Sequence, residues 1–183
     1  MDTAPDELCN EYDRATTAHG YVNPSPSTLC SPFPVFFMRR FVVRRSSVHG
    51  RGVFASTTIR SGESIIEYKG ELTSWRSAFQ RYQRSSAEAG HTFFFGLDDG
   101  RVIDGARAGN SARWINHSCE PNCEAAQQGS RVFIRALNKI ATGAELFIDC
   151  RLDVEGRRTT ALKKLYSCRC DARRCRGTML AAR

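Results

Sequence analysis

One stretch of this chain indicates most about its fold and function: Asn110-Ser-Ala-Arg-Trp-Ile-Asn-His-Ser-Cys-Glu-Pro-Asn-Cys123. Amide, imidazole, hydroxyl and thiol groups are crowded together in it. A single Asn-His pair is usually part of a turn whose hydrogen bonds are satisfied locally. A stretch with this density of donors, acceptors and thiols is instead typical of a functional segment.

Two segments on either side of this stretch also combine glycine with charged residues. The first is His49-Gly-Arg-Gly-Val-Phe54, where two glycines allow the backbone to approach a ligand closely and Arg51 can pair with a carboxylate. Taken alone, it is better explained as a tight turn between strands. The second is Gly143-Ala-Glu-Leu-Phe-Ile-Asp-Cys150, which places two acids beside a thiol.

Three cysteines lie within eight residues of one another: Cys168, Cys170 and Cys175. This spacing is typical of a metal site more than of a disulfide framework, and it predicts a reducing, intracellular setting. A tetrahedral zinc site needs a fourth ligand, for which Cys119 and Cys123 are the best candidates. The alternative is three free thiols on a frayed tail.

Short runs of β-branched and aromatic residues separated by turn residues predict a mainly β domain. The predicted strands are Phe41–Val43, Ser64–Tyr68, Phe93–Leu97, Val102–Asp104, Val132–Ala136 and Leu146–Ile148. Helical spacing of Trp75, Ala78, Phe79 and Tyr82 predicts one helix, capped by Thr73 or Ser74, whose aromatic stripe packs on the core. A second helix is predicted over Thr159–Leu165.

Composition suggests three parts within the 183 residues. Residues 1–38 contain five prolines and are predicted to be a disordered tail, with a docking segment as the alternative. Residues 39–152 form the main domain, and residues 153–183 form a linker and the cysteine motif.

The chain carries a formal net charge of +8, and 23 of its 27 basic residues are arginines. Because a basic surface attracts polyanions, we hypothesise that the chain works close to nucleic acid. It carries no recognised DNA-binding motif. No apolar run approaches the length that spans a bilayer, and the N-terminus lacks a basic-then-apolar leader. We therefore expect a soluble protein with no membrane partner and no secretory signal.

The chain resembles the SET-domain lysine methyltransferases with a post-SET zinc motif. The resemblance rests on four motifs that occur in this order: His-Gly-Arg-Gly, Asn-His-Ser-Cys-x-Pro-Asn, Glu-Leu-x-x-Asp and Cys-x-Cys-x4-Cys. The resemblance runs from about Phe41 to Leu180. The chain is most similar to the trithorax type, and its layout is closest to the short bacterial SET proteins. The resemblance implies a mainly β SET fold of several small sheets. It also implies a pseudoknot around the active site, one inserted helix and a zinc-bound C-terminal tail.

The resemblance also implies the site residues. S-adenosylmethionine would contact His49, Arg51, Phe93, Asn116, His117 and Arg169. One structural zinc would be bound by Cys119, Cys168, Cys170 and Cys175, which leaves Cys123 as a packed or free thiol. Tyr68 and His117 are candidate catalytic residues, together with Cys150, which occupies the position of the family's catalytic tyrosine. Ile148 stands where relatives carry an aromatic residue that limits the number of methyl groups.

The implied activity is methyl transfer to a lysine of a protein, with a histone tail as the favoured substrate. A thiol is a weak hydrogen-bond donor, so the rate is expected to be reduced. The alternative is a catalytically impaired module that binds cofactor or chromatin. The implied location is the nucleus or chromatin in a eukaryote, and the cytoplasm or a host cell in a bacterium.

Overall fold

The computed structural model describes residues 40–85, 93–154 and 156–181. The tail predicted for residues 1–38 lies outside the described residues and stays a prediction. Within the described ranges, ten short strands and two helices form the domain, so the prediction of a mainly β domain is confirmed. No helix in these ranges is long and apolar enough to cross a membrane.

The strands form four small sheets. The first sheet pairs β1 (Phe41–Arg45) with β2 (Arg51–Ala55), antiparallel. The second has the order β3 (Ser64–Tyr68), β9 (Arg131–Ala136) and β8 (Cys123–Gln128). The third has the order β4 (Glu71–Ser74), β6 (Arg101–Asp104) and β5 (Phe94–Gly96). The fourth pairs β7 (Asn116–His117) with β10 (Phe147–Ile148), parallel.

The core lies between these sheets and is built from alternating strand residues. In β9, Val132, Ile134 and Ala136 are buried, as the two-residue period of a strand with one buried face requires. Val53 of β2 and Leu146, just before β10, are also fully buried. The core therefore holds β2 and β10, which carry two of the sequence motifs, in fixed positions.

The first helix, α1 (Trp75–Gln83), begins at Ser74, whose side chain accepts a hydrogen bond from the backbone of Ser77. The prediction that its aromatic stripe packs on the core holds for Ala78 but is wrong for Phe79 and for half of Trp75. Only Ala78 is buried, while Trp75 and Phe79 are about half exposed, at 46% and 52%. Trp75 and Tyr82 meet Phe94 of the third sheet edge-on. Arg81, on the same helix, pairs with Glu71 and Asp104 of that sheet.

The second helix, α2 (Thr160–Leu165), is capped by the Thr159 side chain. Two isolated bridges tie the segment around it to the rest of the C-terminal region: Leu152 with Leu180, and Ser167 with Thr178. Because Leu180 is buried, the end of the described chain is anchored against the domain.

Candidate functional site

The segments of residues 110–123 and 143–150 lie side by side. Strands β7 and β10 pair in parallel, with Asn116 opposite Phe147. The side chain of Asn122 donates to the carbonyl of Glu145 (2.7 Å) and accepts from the backbone N–H of Phe147 (2.8 Å). Two distant parts of the sequence are thereby fixed against each other, as a pseudoknot requires.

Glu145 joins the third segment, residues 49–54, to this pair. Its carboxylate accepts hydrogen bonds from Asn116 (2.8 Å) and Ser46 (3.0 Å). Gly52 lies so close to this carboxylate that a Cβ at residue 52 would overlap Oε1. The close approach expected of these glycines is therefore to Glu145 at Gly52, while Gly50 forms the turn before β2 with a φ of +45°.

Asn116 connects the same parts through the backbone. Its side-chain amide donates to the carbonyls of Arg51 (2.9 Å) and His49 (3.3 Å). This amide thus fixes the backbone where the chain passes from the turn into β2. These hydrogen bonds explain why an amide is needed at residue 116.

A cavity of about 750 Å³ opens where the three segments meet. Tyr68 and Cys150 line it. So do all six predicted cofactor residues, which are His49, Arg51, Phe93, Asn116, His117 and Arg169. Cys168 also lies on its wall, so the C-terminal cysteine motif forms part of the same cavity. The volume falls in the range of small-molecule sites.

Trp114, for which no role was predicted from the sequence, forms a wall of this cavity. The Arg113 and Arg51 guanidinium groups lie 4.7 and 5.2 Å from its ring centroid, and Phe93 meets it edge-on at 5.1 Å. A packed aromatic ring between two cations forms a rigid surface. Trp114 is the one large aromatic residue of the stretch 110–123. That position in the sequence could have indicated its role in the site.

Cys150 and Tyr68 lie on the same cavity. Burial, assisted by the charge of Asp149, raises the pKa of Cys150 to about 12, which keeps it a neutral thiol. Tyr68 is buried, and its hydroxyl donates to the carbonyl of Phe93 at 2.8 Å. Burial also raises the pKa of Tyr68, so its proton is firmly held.

His117 links residue 150 to the cysteine motif. Its Nδ1 accepts from the backbone N–H of Cys150 (3.2 Å), and its Nε2 lies 3.4 Å from Sγ of Cys119. Burial is the main cause that lowers the pKa of His117, which favours a neutral ring. Both ring nitrogens are therefore used within the protein.

The four sulfurs of Cys119, Cys168, Cys170 and Cys175, named here the four-cysteine cluster, lie within 4.8 Å of one another. Sγ of Cys119 is 3.8 Å from that of Cys168 and 3.9 Å from that of Cys175. Tetrahedral zinc with Zn–S bonds of about 2.3 Å sets its sulfurs about 3.8 Å apart, so the cluster can hold a zinc ion. Cys123 is instead fully buried in the core.

Backbone N–H groups point at the sulfurs of this cluster. Those of Cys119, Arg176 and Gly177 donate to Cys170, Cys119 and Cys175 at 3.3 to 3.4 Å. Burial opposes the thiolate of Cys170, but the N–H groups of Cys119 and Ala172 and the neighbouring thiols lower its pKa to about 6. This environment favours the thiolate of Cys170, whereas burial raises the pKa of Cys119 and of Cys168. Thiolates are the form that binds metal.

Arg176 follows the last cysteine and was also missed from the sequence. Its guanidinium donates to both carboxylate oxygens of Asp149, at 2.6 and 2.9 Å. Burial opposes ionisation of Asp149, but these bonds outweigh it and lower the pKa of the carboxyl. The signal that could have found the pair is an arginine adjoining Cys175 and an acid adjoining Cys150.

Residues 50–151 match the sequence profile of the SET domain, which is more than half of the chain. The chain belongs to the SET-domain family. The SET fold expected from the four motifs is thereby confirmed, and the mainly β architecture with small sheets agrees with it.

Several histone-lysine methyltransferases are similar to this SET domain. Histone-lysine N-methyltransferase 2B of Homo sapiens is 38% identical over 138 residues, covering 73% of this chain and 5% of that protein. The trithorax protein of Drosophila virilis is 36% identical, covering 73% and 3%. Histone H3-lysine(4) N-trimethyltransferase ATX1 of Arabidopsis thaliana is 37% identical, covering 78% and 13%. The chain thus spans only a small part of these relatives.

A solved structure is also similar to this SET domain. It is that of ctPRC2 in an autoinhibited conformation bound to S-adenosylmethionine. The TM-score is 0.55 and the identity is 31%, over 60% of this chain and 15% of the other. The trithorax-like resemblance therefore rests on sequence, and the fold has support from both sequence and structure.

Proposed function

We propose that this SET domain transfers a methyl group from S-adenosylmethionine to a lysine side chain of a protein. The observation that carries the proposal is that one cavity is lined by two groups of residues. The predicted cofactor residues His49, Arg51, Asn116 and His117 form one group, and the candidate catalytic residues Tyr68 and Cys150 form the other. The names of the histone-lysine methyltransferase relatives and the S-adenosylmethionine-bound structural neighbour support the same chemistry.

S-adenosylmethionine supplies a methyl group on a positively charged sulfur, and the acceptor must be a neutral amine. A free lysine has a pKa near 10.4, so the protein must favour its neutral form. Four arginines line the cavity: Arg51, Arg113, Arg151 and Arg169. Their charges and the partial exclusion of water both disfavour an ammonium group there. The chain's other task is to hold the two reactants in line, which can contribute about 7–11 kcal/mol.

The metal proposed for the four-cysteine cluster is one structural zinc. With four thiolates the coordination is complete, which leaves no position for a catalytic water. Its task is to order residues 168–175, of which Cys168 and Arg169 form part of the cavity wall. Metal binding would then contribute to folding of this part of the chain.

A histone tail is the proposed substrate, since the relatives are named for histone lysines. Such tails are basic, and Glu124 is an exposed acid on the cavity wall that can receive a basic residue. The net charge of +8 supports proximity to nucleic acid, which would bring the chain near chromatin.

A second function is favoured by a specific observation at residue 150. Cys150 offers a weak donor, Phe93 has no hydroxyl, and the hydroxyl of Tyr68 is used by a carbonyl. A domain with these groups can bind cofactor or a protein partner without appreciable turnover. Cofactor binding without methylation would be its mark.

The test is a radiolabelled methyl-transfer assay on core histones, run beside calorimetry of S-adenosylmethionine binding. The proposed function predicts binding and measurable transfer, at least for Cys150→Tyr. Binding with no transfer by either protein supports the second function. Absence of S-adenosylmethionine binding by both proteins contradicts the proposed function and the cofactor-binding form of the second function.

A further inference from the structure

The ion pair between Arg176 and Asp149 connects the four-cysteine cluster to residue 150. Arg176 directly follows Cys175, and its own backbone N–H donates to Sγ of Cys119 (3.3 Å). Asp149 directly precedes Cys150. One residue thus contacts a cluster sulfur with its backbone and the segment of residues 149–151 with its side chain.

Asp149 in turn organises that segment. Its Oδ1 accepts from the backbone N–H of Arg151 (3.3 Å), a residue with a φ of +43°. This left-handed conformation is unfavourable for arginine and needs support from its surroundings. Between Asp149 and Arg151, the backbone of Cys150 donates to His117. The direction in which residue 150 points therefore depends on the side chains of Asp149 and His117.

We propose that Arg176 is a positioning residue, through which the ordered four-cysteine cluster sets the place of residue 150 in the cavity. The inference rests on the proposed function for what residue 150 does, but the mechanical link itself is independent of it. It makes the cluster more than an anchor of the tail, because loss of Arg176 would disturb residue 150 while the metal stays bound.

A neighbouring ion pair shows why this one is more than surface charge. Arg174, on the other side of Cys175, pairs with Glu120 at 2.9 Å, but the two side chains are 86% and 36% exposed. Exposed pairs of this kind contribute little. The side chains of Arg176 and Asp149 are only 28% and 14% exposed, and two parallel hydrogen bonds join them. Arg174 is therefore a matched control.

The experiment compares Arg176→Ala, Arg176→Lys and Arg174→Ala in the full chain. Zinc content is measured first, then amide hydrogen exchange of the peptide covering residues 148–152, then kcat and KM for a histone peptide. We expect one zinc per chain in all three variants. Exchange should be at least tenfold faster in Arg176→Ala, and unchanged in Arg174→Ala.

For activity, measured in the Cys150→Tyr background if the parent is slow, Arg176→Ala should lower kcat about 10- to 100-fold with little change in KM. Arg176→Lys should recover part of the loss, because lysine keeps the charge but cannot form the paired bonds.

Unchanged exchange in Arg176→Ala would overturn the proposal. So would exchange that rises only together with loss of zinc, because Arg176 would then support the cluster alone. An equal effect of Arg174→Ala would also contradict it. If no variant methylates histone, the proposed function fails, while the exchange and zinc measurements still decide the role of Arg176.

Discussion

Residue 150 shows how a single side chain can separate binding from turnover. The thiol of Cys150 is neutral and lies on the cavity wall, but it is a poor donor and shorter than a phenol. Tyr68 cannot replace it without giving up its hydrogen bond to Phe93. The structure therefore offers residue 150 as the position where a hydroxyl can be added.

We predict that Cys150→Tyr raises the methylation rate by about one to three orders of magnitude, the scale expected of one preorganised donor. Because Cys150 belongs to neither the cluster nor the predicted cofactor residues, zinc content and cofactor affinity should stay the same. Initial rates on core histones measure the effect. Cys150→Phe is the control: it supplies the ring alone, and equal acceleration by both would assign the gain to size.

At residue 116, we predict that Asn116→Ala weakens S-adenosylmethionine binding at least tenfold and leaves the domain folded. The amide joins Glu145 to the carbonyls of His49 and Arg51, so its loss frees the backbone that lines the cavity. Unsatisfied partners should cost about 1–3 kcal/mol of stability. Calorimetry and thermal unfolding measure the two effects, and unchanged affinity would contradict the assignment.

At the scale of elements, the C-terminal segment completes a cavity whose other walls include residues of β2, β3, β5, β7, β8 and β10. The segment has few buried residues of its own: α2 has none. Its order must therefore come from the four-cysteine cluster and from contacts such as that of Leu180.

We predict one zinc per chain on the four-cysteine cluster and a loss of cofactor affinity when it is removed. Chelation under reducing conditions should weaken S-adenosylmethionine binding at least tenfold and leave the strand signal in circular dichroism largely intact. Cys175→Ala should reproduce this loss, whereas the buried Cys123→Ala should keep its zinc. Elemental analysis that finds no zinc in fresh, reduced protein would refute the prediction.

Much of the element pattern follows from sequence, and the failures have physical causes. The strands Ser64–Tyr68 and Val132–Ala136 are rich in β-branched residues and were predicted within one residue. Strand β8, Cys123–Gln128, was missed because Glu, Ala and Gln have low strand propensity. It forms because β9 pairs with it along its whole length.

The candidate site was predictable where its residues fall within motifs, and less so where contacts decide. The six predicted cofactor residues line one cavity, and their role in cofactor binding stays a prediction. Periodicity located α1 but overestimated the burial of Trp75 and Phe79, because it counts apolar residues and does not see which neighbours cover them. The pairing of Arg176 with Asp149 depends on tertiary distance, which spacing along the chain does not reveal.

For the whole molecule, the described domain begins with Arg40, whose carbonyl accepts from Ser56 and whose side chain pairs with Glu63. Phe41 and Val43 of β1 pack against the core. Arg40 and β1 are therefore held to the rest of the domain by these contacts.

We predict that a chain starting at residue 40 keeps its fold and its cofactor affinity, whereas one starting at residue 46 loses both. The second lacks β1, which exposes β2 and removes two apolar side chains from the core. Thermal unfolding and calorimetry of both chains test this. Aggregation of the longer one would show that residues before 40 are required.

Gly52 and Glu145 have a consequence for genetic experiments. A methyl group at residue 52 would meet the Glu145 carboxylate, so Gly52→Ala should be strongly deleterious. A shorter side chain at residue 145 would relieve the overlap, but it would leave Asn116 and Ser46 without their acceptor. A screen for second-site suppressors of Gly52→Ala should therefore recover revertants at codon 52 far more often than compensating changes at codon 145.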